Sequence, residues 1–359
     1  MTDLSRRQIA VFATSALFVS GCASSGPALA RSGPESFSPL VKRVLPAVVN
    51  IAVTETVSGN DPLDALPLEI QRQLRDRFRR NRRQVQGAGS GFIIDASGYI
   101  VTNNHVVGSA DVISVSLSDG TELPAKLVGT DDLTDIALIK VISPKPLPFV
   151  PWGDSSAIEV GDWVIAAGNP FGLGGSVTAG IVSARGRDIG ASAFDDYLQI
   201  DAPINPGNSG GPVFNTDGQV VGVNTAIVSP NGGGSVGIGF AVPSEVASRI
   251  AGELRDKGRI ERGWLGVSVT DLPPGEGRKK TPGVAIAGVD RAGPAAKSGL
   301  RAGDVVMAVN GQPVETSRGL IRAVAATAPG GNVSLSVRRQ GRDLEVPVMV
   351  GRRPANDQG

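Results

Sequence analysis

Between residues 89 and 242 the chain alternates short apolar runs with glycine, aspartate, asparagine and proline, and this punctuation restricts its fold more than any other feature. The runs fall at 91–95, 99–102, 112–117, 125–128, 136–141, 163–167, 180–184, 197–200, 220–224 and 238–242, with an earlier one at 47–53. Such runs are too short for helices, and turn residues at this spacing mark the strands of a sandwich or barrel. Composition agrees, with 48 glycines and 25 prolines but only 4% aromatic residues. No alternation of strand and helix is present, which argues against a doubly wound α/β fold. The clearest helix spans 244–258, with Ser244 as its cap, Val246, Ile250 and Leu254 on one face and Gly258 as its stop. It closes a β-rich unit at residue 259. A second unit, 260–352, carries strands near 265–269, 284–289, 305–309, 333–338 and 344–349 and one helix at 317–327. The expected fold is mainly β, followed by a smaller α+β domain.

The N-terminal 30 residues read as an export signal. Arg6 and Arg7 precede an apolar run from Ile9 to Val19, about half the roughly 20 residues that a spanning helix needs. Ser5-Arg6-Arg7 resembles the start of a twin-arginine signal. Two cleavage readings compete. Val19-Ser20-Gly21-Cys22 resembles a lipobox, which makes Cys22 a lipidation candidate and a lipid anchor a candidate partner, whereas Ala28-Leu29-Ala30 resembles an ordinary signal-peptidase site. The sole cysteine standing at the lipobox position favours the first. Either reading places residues 31–359 outside the cytoplasm. Residues 31–40 are polar and proline-punctuated, as in a flexible tether. The stretch 54–87 interrupts the strand pattern with helical spacing at 66–78 and a cluster of arginines, read as a solvated or partner-contacting loop. A net charge of +1 gives no global field for nucleic acid. One cysteine and one histidine allow neither an intramolecular disulfide nor a Cys/His zinc site, so no cofactor is expected.

The segment richest in chemistry is Asn205-Pro206-Gly207-Asn208-Ser209-Gly210-Gly211-Pro212. A serine nucleophile needs a tight turn whose backbone N–H groups face a developing oxyanion, and flanking glycines permit the required conformations. The N–H groups of Gly207 and Ser209, on either side of Asn208, are the candidate donors. A serine hydroxyl needs an adjacent base. The only histidine of the chain, His105, ends an apolar run in Val101-Thr102-Asn103-Asn104-His105-Val106-Val107. An acid must fix the imidazole tautomer. Asp135, opening the run Ile136-Ala137-Leu138-Ile139, suits partial burial better than Asp131 or Asp132, which stand in a turn and read as solvated.

The order His105, Asp135, Ser209 resembles that of chymotrypsin, and the three segments resemble the HtrA/DegP family of trypsin-fold serine endoproteases. Further phrases extend the resemblance: Gly89-Ser90-Gly91-Phe92-Ile93-Ile94, Ala167-Gly168-Asn169-Pro170-Phe171-Gly172 and Gly237-Ile238-Gly239-Phe240-Ala241-Val242-Pro243. It covers roughly residues 38–352 and implies two six-stranded β-barrels with the site between them, a C-terminal PDZ domain and a periplasmic location. In that fold the S1 floor lies near Pro203, where no acid stands to select Arg or Lys. Ile204, Ile227, Val228 and Ile238 imply a small apolar pocket, hence cleavage after small aliphatic residues that only unfolded proteins expose. Thr225 and Ala226 are expected to pair with an extended substrate. Arg262-Gly263-Trp264-Leu265-Gly266-Val267 resembles the PDZ carboxylate loop, with Trp264, Leu265, Gly266 and Val267 as candidate binders of C-terminal peptides. Gly293-Pro294-Ala295-Ala296 and Val309-Asn310-Gly311 extend this match. The resemblance further implies a homotrimer and a sensor loop at 185–196, with Arg187 as its relay. A protease cutting one signalling substrate and a non-catalytic peptide-binding holdase are the competing functions.

Overall fold

Helix α1 (Ser38–Val44) and a single 3-10 turn (Leu45–Ala47) open the folded chain, so the stretch read as a tether becomes helical at Ser38, where Leu40 and Val44 are buried. The computed structural model describes residues 34–57, 83–170, 174–205, 207–228, 234–272 and 283–353. The export signal with Cys22, and residues 58–82 of the arginine-rich stretch, lie outside them. The ends of that stretch are strand, because Thr54 to Val57 pair with Arg83 to Gln86.

Six strands follow in chain order: β1 (Val48–Val57), β2 (Arg83–Asp95), β3 (Tyr99–Asn103), then, after the one-turn helix α2 (Asn104–Val107), β4 (Val112–Ser116), β5 (Glu122–Asp131) and β6 (Ile136–Val141). They hydrogen-bond in the order β1-β2-β3-β6-β5-β4, and β4 returns to β1, so the sheet closes on itself. The second barrel repeats the design with β7 (Trp163–Gly168), β8 (Ser176–Arg187), β9 (Tyr197–Ile200), β10 (Pro212–Phe214), β11 (Val220–Ile227) and β12 (Gly239–Pro243), ordered β10-β11-β12-β9-β8-β7 and closed by β7 on β10. Ile51, Phe92, Ile100 and Leu138 are buried in the first barrel. Val164, Val182, Ile200, Ile204, Val213 and Val221 form the core of the second.

Helix α3 (Ser244–Lys257) packs on β5 and β6 of one barrel and on β11 and β12 of the other. Its Ala247, Ile250, Ala251 and Leu254 are buried, each large side chain contributing about 2 kcal/mol. Ser244 does not cap it. Its hydroxyl donates to Gly153 O (2.8 Å) and accepts from Ser155 N–H (3.1 Å), a tie to the linker between barrels. Gly258 ends the helix as expected, in the left-handed conformation (φ 69°), with its N–H on Leu254 O.

The C-terminal domain opens with β13 (Gly263–Trp264), which pairs with the last strand β20 (Gly351–Arg352). Its main sheet runs β14-β15-β16-β18-β19, comprising β14 (Val267–Asp271), β15 (Val284–Val289), β16 (Val305–Val309), β18 (Asn332–Arg339) and β19 (Arg342–Met349), with β17 (Gln312–Pro313) beside β16. Asn310 (φ 49°) and Gly311 (φ 77°) join β16 to β17 through the two positive φ angles of a type I′ turn. Helices α4 (Pro294–Lys297) and α5 (Ser317–Ala325) cover this sheet, Leu320 and Val324 of α5 reaching its core. Thr316 caps α5 by accepting from Gly319 N–H.

Candidate active site

His105 lies in the turn of helix that leaves β3, and Asp135 stands immediately before β6, the strand paired with β3. Register therefore brings them together. Asp135 Oδ1 accepts the backbone N–H of His105 (2.9 Å), and Oδ2 lies 2.6 Å from His105 Nδ1. An ionised carboxylate only accepts, so this contact places the imidazole proton on Nδ1 and leaves the Nε2 lone pair free. The His105 side chain is 48% exposed and that of Asp135 only 21%, an open base above a sheltered acid. Asp135 has φ 55°, an unusual backbone for a residue with a side chain, which costs about 1–2 kcal/mol. Its carbonyl is held by Asn103 Nδ2 (2.8 Å) and Asn104 N–H (3.1 Å), which fix that conformation. Burial, then the charges of Asp195 and Asp135, push the Tyr197 phenol up to about 12, so it adds no charge to the site.

Ser209 sits in the turn before β10. Its carbonyl accepts Ser90 N–H (2.8 Å), Asn208 O accepts Gly211 N–H, and Asn208 N–H donates to Asn205 O. Gly210 (φ 83°) presses against Ser90 O and Thr102 Oγ1, leaving no room for a Cβ. Thr102 and Asn103 end β3, three and two residues before His105. The serine turn is therefore stitched to the strand that delivers the histidine. Across the seam Asn103 Nδ2 also donates to Thr225 Oγ1 (3.1 Å). Among the described residues no acceptor takes the N–H of Gly207 or Ser209, so two donors flank Asn208 unengaged.

Asp131 departs from the sequence reading. It is buried, not solvated, because the Arg262 guanidinium grips both of its oxygens (Nη2 to Oδ2, 2.8 Å) and Thr134 Oγ1 also donates to it. Asp132 stays exposed, 3.5 Å from Arg353. Of the residues read as a specificity pocket, Ile204 is buried in the second barrel with Ile227 packed against that core, Ile238 is partly buried and Val228 is exposed. Pro203 is exposed, its carbonyl accepting from Thr178 Oγ1. Residues 225–227 extend past the end of β10, whose pairing stops at Val223, so this edge of β11 has no strand partner among the described residues.

In the C-terminal domain, Leu265 O accepts Ala295 N–H and Gly266 O accepts Asp290 N–H. These bonds turn the carbonyls away, and no described acceptor takes the N–H of Leu265 or Gly266. Gly266 (φ 74°) lies against the Trp264 ring, and Val267 begins β14, which among the described residues pairs on one side only, with β15. Arg187 donates to Gln199 Oε1 (2.8 Å). The residues of this loop that meet the C-terminal domain are its neighbours. Arg318 of α5 binds Asp188 and donates to Asp195 O, Arg322 donates to Ala193 O and Asp195 O, and the Arg262 guanidinium lies 4.6 Å over the Phe194 ring. Sequence reasoning missed Ser90, Asn103, Arg262, Arg318 and Arg322. Ser90, Asn103 and Arg262 stood inside motifs that carried the resemblance, but Arg318 and Arg322 had no local signal.

Two closed barrels with this clamped acid and base at their seam define a serine endopeptidase of the trypsin-like class, here followed by a PDZ domain. Comparison with known proteins agrees: the sequence matches the trypsin-like peptidase domain family over residues 89–223 and the PDZ domain family over 263–350. A DegP-like periplasmic serine endoprotease of Brucella suis biovar 1 is 45% identical, the match covering 90% of this chain and 70% of the relative. One from Bartonella henselae is 42% identical over 95% and 75%. The solved structure of the HtrA-type protease AlgW with a decapeptide is 40% identical with a TM-score of 0.75, covering 89% of this chain and 99% of that one. The chain belongs to the HtrA/DegP family and is a periplasmic serine endoprotease with a PDZ domain.

Proposed function

We propose that the chain hydrolyses unfolded or misfolded envelope proteins through Ser209, His105 and Asp135. The observation that carries this is the two-point grip of Asp135 on His105, at the backbone N–H and at Nδ1. Nε2 takes the Ser209 hydroxyl proton as Oγ attacks the scissile carbonyl carbon. The oxyanion is met by the N–H groups of Gly207 and Ser209, with Asn208 holding the turn between them. His105 then gives its proton to the leaving amine, and water repeats the sequence on the acyl ester. The free edge at Thr225 and Ala226 supports pairing with an extended chain. The family resemblance assigns Ile204, Ile227, Val228 and Ile238 to an apolar pocket that favours small aliphatic side chains, which native proteins bury.

The unengaged N–H groups at Leu265 and Gly266, flanked by Trp264 and by Val267 on the free edge of β14, support capture of C-terminal peptides by strand addition. The arginine contacts between α5 and residues 188–195 favour control of the protease by its PDZ domain, with Arg187 in the same loop. We place the boundary between the two domains at 259/260, and assign a homotrimeric assembly and a lipid anchor at Cys22 on the strength of the family resemblance and the lipobox. The test is cleavage of unfolded casein by residues 31–359 beside Ser209→Ala, where loss of the nucleophile lowers turnover by about a millionfold. Equal cleavage by both would reject Ser209. Absence of cleavage by either, with and without C-terminal peptides, would favour the holdase.

A further inference from the structure

Ser90 lies opposite the serine turn, fully buried, and spends its polar groups on it. Its N–H donates to Ser209 O (2.8 Å), and its hydroxyl donates to Gly207 O (2.5 Å) while accepting the N–H of Asn169 (2.7 Å). Its own carbonyl accepts Thr102 Oγ1 (2.7 Å), which ties it to the strand before His105. We propose that Ser90 is a positioning residue that sets the oxyanion donors, a role resting on the assignment of Ser209 as nucleophile.

Three peptide planes lie between Gly207 and Gly210, and each has its carbonyl anchored. Gly207 O is held by the Ser90 hydroxyl, Asn208 O by Gly211 N–H and Ser209 O by Ser90 N–H. A peptide N–H points opposite to its carbonyl. Anchoring Asn208 O away from the site therefore turns the Ser209 N–H towards it. Gly207 is the less constrained member. It has φ 96°, lies against Pro170 with no side chain to lock it, and has only the Ser90 hydroxyl on its carbonyl. Without that hydroxyl the plane after Gly207 keeps only the Asn208 N–H bond to Asn205 O, so the Gly207 backbone is freer to turn about its own φ and ψ, and its N–H, one plane earlier, shifts from its aim. The Asn169 N–H loses its acceptor in the same stroke. That residue is itself fixed from the first barrel, its carbonyl accepting Asn50 Nδ2 (2.9 Å). The hydroxyl thus relays order from the loop after β7 to the oxyanion turn.

A donor aimed where charge develops lowers the barrier without tightening substrate binding, and displacement by about 1 Å can cost about a hundredfold in rate. In the full chain Ser90→Ala is expected to lower kcat for a peptide substrate about 10–100-fold, with KM within about twofold of wild type. Affinity for a peptide boronate, which mimics the tetrahedral adduct, should fall by the same factor, while affinity for the cleaved product peptide stays constant. Ser90→Cys, nearly equal in size but a weak donor, should fall between the two, and it keeps the experiment readable if the alanine variant is poorly folded. Unchanged kcat and boronate affinity, with wild-type activity abolished by Ser209→Ala, would overturn the role of Ser90 and leave the nucleophile intact. A matching loss of product affinity would also overturn it, by showing general loosening. Activity that survives Ser209→Ala would remove the reading on which it rests.

Discussion

The seam between the two barrels and the contact between the PDZ and protease domains are both polar, but opposite kinds of group build them. The first uses short neutral side chains at full burial: Ser90 and Asn103 of one barrel bond the backbone or side chains of the other, or of Asp135, while Thr102 holds the Ser90 carbonyl from within its own barrel. The second uses long cations: Arg262 on Asp131, Arg318 on Asp188, and Arg318 and Arg322 on the carbonyls of Ala193 and Asp195. Short side chains have few rotamers to lose, and neutral bonds are insensitive to salt, so the first seam has one arrangement. A long arginine on a partly exposed partner gains little net free energy, roughly 0–1 kcal/mol, and has solvated alternatives. Under the proposed function the seam holds a catalytic geometry that must stay fixed, whereas a contact used for regulation must be able to let go.

The largest expected effect breaks the comparison at its rigid end. Asp135→Asn keeps an oxygen for the His105 N–H but turns an amide donor towards Nδ1, which forces the proton onto Nε2 and removes the free base. Turnover should fall about 10⁴-fold, with thermal stability little changed. A loss below about tenfold would show that the clamp does not set the tautomer.

Arg262 is the member of the charged contact that resembles the seam, since its partner Asp131 is only 3% exposed. Removing one side of a buried pair leaves the other charge stranded, so Arg262→Ala should lower unfolding free energy by about 3 kcal/mol, read from denaturant titration. Arg262→Met together with Asp131→Leu should recover most of it, because apolar groups of similar size replace buried pairs well. A loss near 0.5 kcal/mol would place this pair with the surface contacts instead.

Asp131 also marks the limit of what the sequence discloses. Strands whose apolar runs are bounded by turns were readable: Val284–Val289 and Val305–Val309 in the PDZ domain, and Ile136–Val141 in the protease, have the expected bounds. Strand β10 was not, because Pro212–Phe214 is three residues long and merges into the glycine turn that carries Ser209. Of the candidate site, His105, Asp135 and the glycine-flanked serine could be singled out because their local sequence is peculiar. The burial of Asp131 could not, since its partner is 131 residues away. Ser244 was misread for the same reason, its hydroxyl turning to Gly153 rather than to its own helix. Local chemistry is written locally, but partners brought in by tertiary folding are not.

The smallest effect separates the two interfaces without mutation. Arg318 and Arg322 stand one helical turn apart and repel each other, and burial followed by the Arg322 charge holds the Arg318 pKa below the ordinary guanidinium value. The Asp188 side chain that meets Arg318 is 53% exposed, so salt reaches this pair. Raising ionic strength from 0.01 to 1 M shortens the screening length from about 30 to about 3 Å, and should weaken the contact by up to about 1 kcal/mol. Hydrogen exchange is the measurement. Amides at 189 and 191, held by the Asp195 carboxylate within the clamped loop, should exchange up to about fivefold faster in high salt. The amides of Ser90 and Asn169, bonded across the neutral seam, should not change. Equal acceleration at both places would mean that the barrels and the PDZ contact open together, and that the difference in their chemistry does not separate their motions.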